Sequence, residues 1–196
     1  MAGACRQFGG SANHVAIDND GILSLHGDGR VYCFEWVSAE GIKVPGTKPA
    51  TEVALGLSKA LQFTDGTDDT VIGKIRMPMD ADYTVNPDFY VGWSSPTADP
   101  GDNSKQATWS LAYSIHGLNA DMSDSTPDTT TPGTFSASTS TNGLVMSAIT
   151  VTGGQLGDVC FEYILKRLGA AATLGDVANL SGVCIRYVKN KCGGIT

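Results

Sequence analysis

The chain has 196 residues, 24 of them glycine, with charged residues at 17% and a formal net charge of −7. Charge this sparse, against about 25% in a usual soluble domain, together with many small residues, points to an all-β protein rather than a helical one. An acidic chain lacks the basic footprint that neutralises phosphates or docks on an anionic membrane, so neither nucleic acid nor membrane is an expected partner.

At the N-terminus, Met1-Ala-Gly-Ala-Cys5 has no basic region and no hydrophobic stretch, so synthesis and folding in a cytoplasm are expected. Residues 1–50 hold many Gly breaks and few clean alternations, and read as an arm or hairpin region ahead of a sandwich over 51–190 and a tail over 191–196. Within it, Gly21–Leu25 and Arg30–Trp36 flank His-Gly-Asp-Gly, a hairpin turn by composition. Its apolar groups, among them Phe8, Val15, Ile17, Tyr32, Phe34, Trp36 and Val44, are too interrupted for a core of their own. They must be buried against the chain's own sandwich, a sister subunit or another shell.

Period-two alternation dominates the rest. Glu52–Phe63 is compatible with a helix, but Gly56 and the spacing of Val53, Leu55, Leu57, Leu61 and Phe63 favour a single strand. Val71–Met77 is a strand closed by Pro78. Phe89, Val91 and Trp93 alternate, as do Ala107, Trp109, Leu111, Tyr113 and Ile115, with the acidic loop Ser94–Ser104 between. These two strands either pair or face each other across a sandwich. Asn119–Thr141 is Ser-, Thr-, Asp- and Pro-rich with Phe135 as its main anchor, an excursion or weakly paired edge rather than core. Gly143–Val151, Asp158–Leu168 and Gly182–Val188 complete a set of roughly eight strands.

Candidate chemistry is thin. Asp18-Asn-Asp20-Gly21 opens like a calcium loop, but Ile22 and Gly29 stand where further ligands belong. Looser acid groups are Asp65, Asp68 and Asp69, and Asp99 with Asp102; turn chemistry accounts for both. His14, His26 and His116 have no metal-ligand spacing and read as solvent-facing or capping. Paired carboxylates would have to come from Glu35, Glu40, Glu52 and Glu162, of which only Glu162 sits in a core strand, on its solvent side near Lys166 or Arg186. Cys5, Cys33, Cys160, Cys184 and Cys192 are odd in number and lack zinc spacing, so free thiols are expected, with Cys160 and Cys184 as small buried hydrophobes. Asn179-Leu-Ser181 is a glycosylation sequon that carries no weight without a secretory signal. Trp36, Trp93 and Trp109 raise a sugar-stacking platform, although alternation sends Trp93 and Trp109 to the core.

The run "KIRMPMDADYTVNPDFYVGWSS", then "GDNSKQATWSLAYSI", then "GDVCFEYILKRLGAAATLGDVANLSGVCIRYV" resembles the jelly-roll β-sandwich structural proteins of tailed bacteriophages, found as capsid decoration (cement) proteins and head fibres. The resemblance covers residues 71–188 and departs at Lys166-Arg167-Leu168, where a basic–acidic pair is expected. It implies a non-enzymatic virion protein with no catalytic, cofactor or metal residues, decorating the capsid surface as a trimer on the major capsid protein. The residues alone keep two alternatives open: a fibre or tail-appendage subunit, and a carbohydrate-binding β-sandwich module. Residues 1–50 are then the expected source of subunit or shell contacts, with loops 94–104 and 119–141 facing outward. The fold expected is an antiparallel jelly-roll-like β-sandwich with an N-terminal arm.

Overall fold

The alternating segments form strands, except where Gly56-Leu57 turns inside Glu52–Phe63. The computed structural model describes residues 6–9, 14–17, 23–26, 31–77, 81, 85–117, 127–152, 158–189 and 191–192. All strand ladders among them are antiparallel, and the architecture is a jelly-roll-like β-sandwich. A small sheet joins β1 (Arg6–Gly9), β2 (His14–Ile17), β3 (Leu23–His26) and β15 (Lys191–Cys192) in that order. The sandwich has two larger sheets. The six-stranded one contains β4 (Val31–Ser38), β5 (Thr51–Leu55), β6 (Ser58–Phe63), β8 (Asp88–Ser94), β12 (Val145–Thr150) and β14 (Ala178–Lys189). The five-stranded one contains β7 (Thr70–Arg76), β9 (Gln106–Gly117), β10 (Asp128–Thr129), β11 (Gly133–Ser136) and β13 (Asp158–Arg167).

The inner faces are the alternating apolar sets. From the five-stranded sheet come Val71, Ile75, Ala107, Trp109, Leu111, Tyr113, Phe161, Tyr163 and Leu165; from the six-stranded sheet come Leu61, Phe63, Phe89, Val91, Trp93, Val183, Ile185 and Tyr187. The strands on either side of the 94–104 loop therefore face each other rather than pair. Their indoles meet edge to face, with Trp93 and Trp109 centroids 6.0 Å apart, and Trp109 stands on Phe63 at 5.0 Å. Buried Trp93 donates Nε1–H to Ser147 Oγ at 2.9 Å, so its polar edge is satisfied. Phe135 packs against the core from β11, and β10 and β11 form the edge beside β9, as the biased 119–141 segment suggests.

Three expectations need correction. Glu52–Phe63 is not one strand but a hairpin: Leu55 pairs with Ser58, and Gly56 turns the corner at φ +61°. Gly tolerates that angle, which starts a two-residue turn matched to strand twist, and Leu57 at its tip is fully exposed. The expected hairpin between β3 and β4 does not pair, because β3 lies between β2 and β15 while β4 pairs with β14. β4 also falls inside the 1–50 stretch read as an arm, yet its residues 31–38 ladder with 182–189 of β14. Ala39, Ile42 and Ala50 join the core cluster. The 43–50 segment hydrogen-bonds along the edge of β7, with Lys43 N–H to Ile72 O at 3.0 Å and Ile72 N–H to Lys43 O at 2.9 Å. The sandwich thus reaches back to Val31, and this segment covers an otherwise open edge.

Candidate functional site

β14 is the axis of the six-stranded sheet, with β8 on one side and β6 then β4 on the other. Residues that point away from the core on these strands form one outer face. By register, Phe34 and Asp88 oppose Arg186, Trp36 and Tyr90 oppose Cys184, and Gly92 opposes Gly182. An alternating strand with one face on the core should be polar on the other. β4 instead exposes Tyr32 (60%), Phe34 (60%) and Trp36 (47%), a row of three aromatics at every second residue. Tyr90 joins the row across the sheet, its ring centroid 6.4 Å from that of Phe34. Met146, from β12, extends the apolar surface beyond Gly92.

The two glycines explain how Trp36 lies. A Cβ on Gly182 would sit 2.5 Å from Trp36 Cζ2, and one on Gly92 would sit 2.7 Å from Cη2. The six-membered ring therefore rests against the paired glycine backbones, and Trp36 still keeps nearly half its surface in solvent. Glycine inside a strand costs roughly 0.5–1 kcal/mol relative to Ala, so two opposed glycines in central strands are an expense that a well-seated indole offsets. The backbone contact fixes the ring without covering it.

Arg186 crosses the row. Its guanidinium carbon lies 4.8 Å from the Tyr32 ring centroid and 5.5 Å from that of Tyr90. Its Nε and Nη2 both donate to Asp88 Oδ2, the former at 3.1 Å. Asp88 holds the guanidinium pKa above its ordinary value, chiefly through this hydrogen bonding. Asp88 also accepts from Thr150 Oγ1 at 3.5 Å. The face thus presents flat apolar rings with one ordered ion pair among them.

The other candidate residues go elsewhere. Trp93 and Trp109 are in the core, so only Trp36 of the three tryptophans can meet a ligand. Asp99 is buried and accepts backbone N–H groups from Gly101, Asn103 and Lys105 at 2.6, 3.2 and 2.8 Å. These bonds, that of Lys105 foremost, lower its pKa and make it the organiser of the 94–104 loop. Asp102 accepts from Ser104 N–H. Asp65 and Asp68 pair with Arg167 and Lys166, each at 2.8 Å, and Asp69 accepts from Thr64 N–H at 2.6 Å. The acidic partners missing beside Lys166-Arg167 in sequence are thus supplied across space. Among the described residues, no group of three or more His, Cys, Asp or Glu is placed to hold a metal ion. Asp18 and Asp20, Cys5 and the side chains of His14, His26 and Cys192 lie outside the described residues.

His116 is buried rather than solvent-facing, with Nε2 3.8 Å from Glu162 Oε2. Glu162 pairs with Lys74, its cross-strand neighbour, and not with Lys166 or Arg186. Glu52 pairs with Lys59 at the exposed β5–β6 hairpin, and Glu40 accepts from Lys59 N–H, so neither pairs with Glu162. Asn179 is buried and its Oδ1 accepts from Gln62. Cys33, Cys160 and Cys184 are free, Cys184 buried and the other two half-buried. A groove of about 740 Å³ runs over the outer face of the five-stranded sheet, lined by Ile72, Lys74, Ala112, Ser114, Glu162 and Ile164. Lys74 and Glu162 within it pair with each other, and it offers no exposed aromatic row.

Sequence reasoning singled out Trp36 but missed Phe34 and Tyr90 as its companions, and Gly92, Gly182, Asp88 and Arg186 as its setting. The available signal was glycine within strand patterns, in Val91-Gly-Trp93 and Ser181-Gly-Val183.

No family model matches the chain, and no curated protein matches it. Solved structures match it at low identity and with TM-scores below 0.5. A xylan-binding module, CBM15, is 9% identical with a TM-score of 0.47, covering 82% of this chain and 99% of that one. The CBM36-1 domain of a multidomain xylanase from the hindgut metagenome of Trinervitermes trinervoides is 15% identical with a TM-score of 0.43, covering 84% and 99%. An exo-beta-1,3-galactanase from Phanerochaete chrysosporium is 10% identical with a TM-score of 0.46; the match covers 88% of this chain but 32% of the galactanase.

Proposed function

We propose that this protein is a non-catalytic carbohydrate-binding β-sandwich module that stacks an extended glycan on the outer face of its six-stranded sheet. The observation that carries the reading is the exposed row Tyr32–Phe34–Trp36, with the Trp36 ring resting against Gly92 and Gly182. Pyranose rings have a face of C–H groups and a rim of hydroxyls. The C–H face is desolvated against an aromatic ring, while the rim stays hydrated or meets polar side chains. An open strip of aromatics with a held guanidinium suits such a ligand, because burying large aromatic surface contributes most of the affinity and one ordered polar group orients it. Strand residues two apart are about 6.6–6.8 Å apart, so Tyr32 to Trp36 spans about 13 Å, enough for several sugar rings in line. Preorganised rings also avoid part of the ordering cost of association.

The test is affinity gel electrophoresis on a panel of soluble polysaccharides, with Trp36→Ala beside the parent protein. Retardation by at least one glycan, lost in Trp36→Ala with an unchanged urea midpoint, is the expected result. Equal mobility of the two proteins on every gel would overturn the reading.

A second reading keeps a footing in the same surface. Tyr, Trp, Met and Arg are enriched in protein interfaces, and large exposed apolar surface commonly marks one. The row then seats a sister subunit or another shell component, as proposed for a phage decoration protein or fibre subunit working at the virion surface. Sedimentation velocity separates the two: an oligomer that Phe34→Ala and Trp36→Ala dissociate favours the assembly reading.

A further inference from the structure

Resting on the carbohydrate-binding reading, we infer that the aromatic strip takes uncharged glycan chains, and that Asp88 sets this preference by holding Arg186. Four strands supply the face. Register places Tyr32, Phe34, Trp36 and Ser38 of β4 on it, with Gly182, Cys184, Arg186 and Val188 of β14. Asp88, Tyr90, Gly92 and Ser94 come from β8, and Met146, Ala148 and Thr150 from β12. Asp88 and Arg186 are the only residues in that set with formal charge at neutral pH.

The pair is built rather than incidental. Arg186 has two donors on one carboxylate oxygen, and the rings of Tyr32 and Tyr90 flank the guanidinium. A cation so placed would otherwise be a ready seat for a uronate carboxylate or a sulfate, since guanidinium binds both through paired N–H groups. Asp88 occupies that role. An acidic glycan lying on the row would have to displace Asp88 or rest beside its negative charge. The chain's net charge of −7 adds repulsion of the same sign. An uncharged glycan meets neither obstacle. It stacks on the rings, and guanidinium N–H groups turned away from Asp88 can donate to hydroxyl or ring oxygens.

The inference makes Asp88 a specificity-determining residue whose removal unmasks a cation. Affinity gels containing a neutral polysaccharide (β-glucan, xylan or galactan) and gels containing a uronate polymer (polygalacturonate or alginate) are run with the parent protein, Asp88→Asn, Arg186→Gln and Trp36→Ala. The parent is expected to be retarded by a neutral polymer and not by the uronates. Asp88→Asn is expected to gain at least ~10-fold in affinity for a uronate polymer, while Arg186→Gln gains none. Parent binding to the neutral polymer should stay level as salt is raised, because no net charge is neutralised in the complex. Parent retardation by uronates equal to that by neutral polymers, or a steep loss of neutral-polymer binding with salt, overturns the inference without touching the carbohydrate reading. So does an Asp88→Asn protein that keeps the parent's urea midpoint and gains nothing on uronates. If Asp88→Asn fails to fold, the parent's polymer selectivity and salt series decide alone. If Trp36→Ala and the parent migrate alike on all gels, the carbohydrate reading itself falls, and this inference with it.

Discussion

Both faces of the six-stranded sheet carry aromatic residues, and their fates are opposite. On the inner face Phe89 and Trp93 have no exposed surface; Phe89 lies 5.8 Å from Phe161 and 5.1 Å from Tyr163 across the sandwich. On the outer face Phe34 and Trp36 are about half exposed, Phe34 beside Tyr90 and Trp36 against Gly92 and Gly182. The residue types are the same, so hydrophobicity does not distinguish a core row from a binding row. What distinguishes them is the second layer. The inner row is covered by β9 and β13, whereas the outer row has glycine below it and a paired ion among it. An inner aromatic contributes to stability by removing surface from water. An outer one leaves surface in water, and its contribution is realised when something else covers it.

The sharpest way to break this comparison is to truncate one residue from each row. Leu111→Ala in the inner layer should cost about 2–5 kcal/mol, and Trp109→Ala about 3–5 kcal/mol, because the walls of Phe63, Trp93 and Leu111 relax only partly into the space. Trp36→Ala should shift the chemical unfolding midpoint far less, since nearly half its surface is in solvent in the folded state. Urea unfolding followed by circular dichroism measures all three. A Trp36→Ala loss as large as that of Trp109→Ala would place Trp36 in the structural core.

A subtler change leaves every aromatic in place. Gly182→Ala adds one methyl where Trp36 Cζ2 and the Val37 backbone carbonyl both crowd the position, so the indole must tilt away from the sheet and β4 must shift locally against β14. Ala would otherwise be neutral or favourable in a strand. The expected outcome is an altered Trp36 emission spectrum and weakened glycan retardation, with stability lowered less than by Leu111→Ala. Unchanged glycan retardation in a protein whose emission has shifted would show that seating of the ring does not matter to binding.

How much of this was legible follows from which forces act locally. The sandwich rows were readable because alternation with one buried face is a property of the strand itself. Val91, Trp109, Leu111 and Tyr113, which alternate in the sequence, lie in one cluster with Phe161 and Ile185. Turn positions with Pro, Asp and Gly were readable for the same reason, and Asp99 organises the loop it was expected to shape. Partners distant in sequence were not readable. Nothing near Arg186 announces Asp88, 98 residues earlier, and nothing near Glu162 announces Lys74. The hairpin at Gly56 was missed because β5 and β6 continue the same alternation through the turn, so the apolar pattern reads as one strand. Residues 31–50 read as part of an arm because the 1–50 stretch holds many Gly breaks and few clean alternations. The pairing of β4 with β14 shows how one strand can be part of the sandwich on one face and await a ligand on the other.

The smallest effect expected concerns a thiol on the outer face. Cys184 stands in register with Trp36 on one side and Tyr90 on the other, and it is buried although it points away from the core. Burial raises its pKa, which lowers the thiolate fraction at neutral pH, and the flanking rings limit access to the sulfur. Cys33 and Cys160 are half-buried and give an internal reference within the same protein. In the parent, alkylation mapped by mass spectrometry should modify Cys184 more slowly than Cys33. In Trp36→Ala, the Cys184 rate should rise while the Cys33 rate holds, because only one of the two thiols loses its cover. A ligand that stacks on the row should slow Cys184 further, again without changing Cys33. Equal acceleration at both cysteines would mean that Trp36→Ala loosens the whole sheet, and that the outer row contributes to the fold as much as the inner one does.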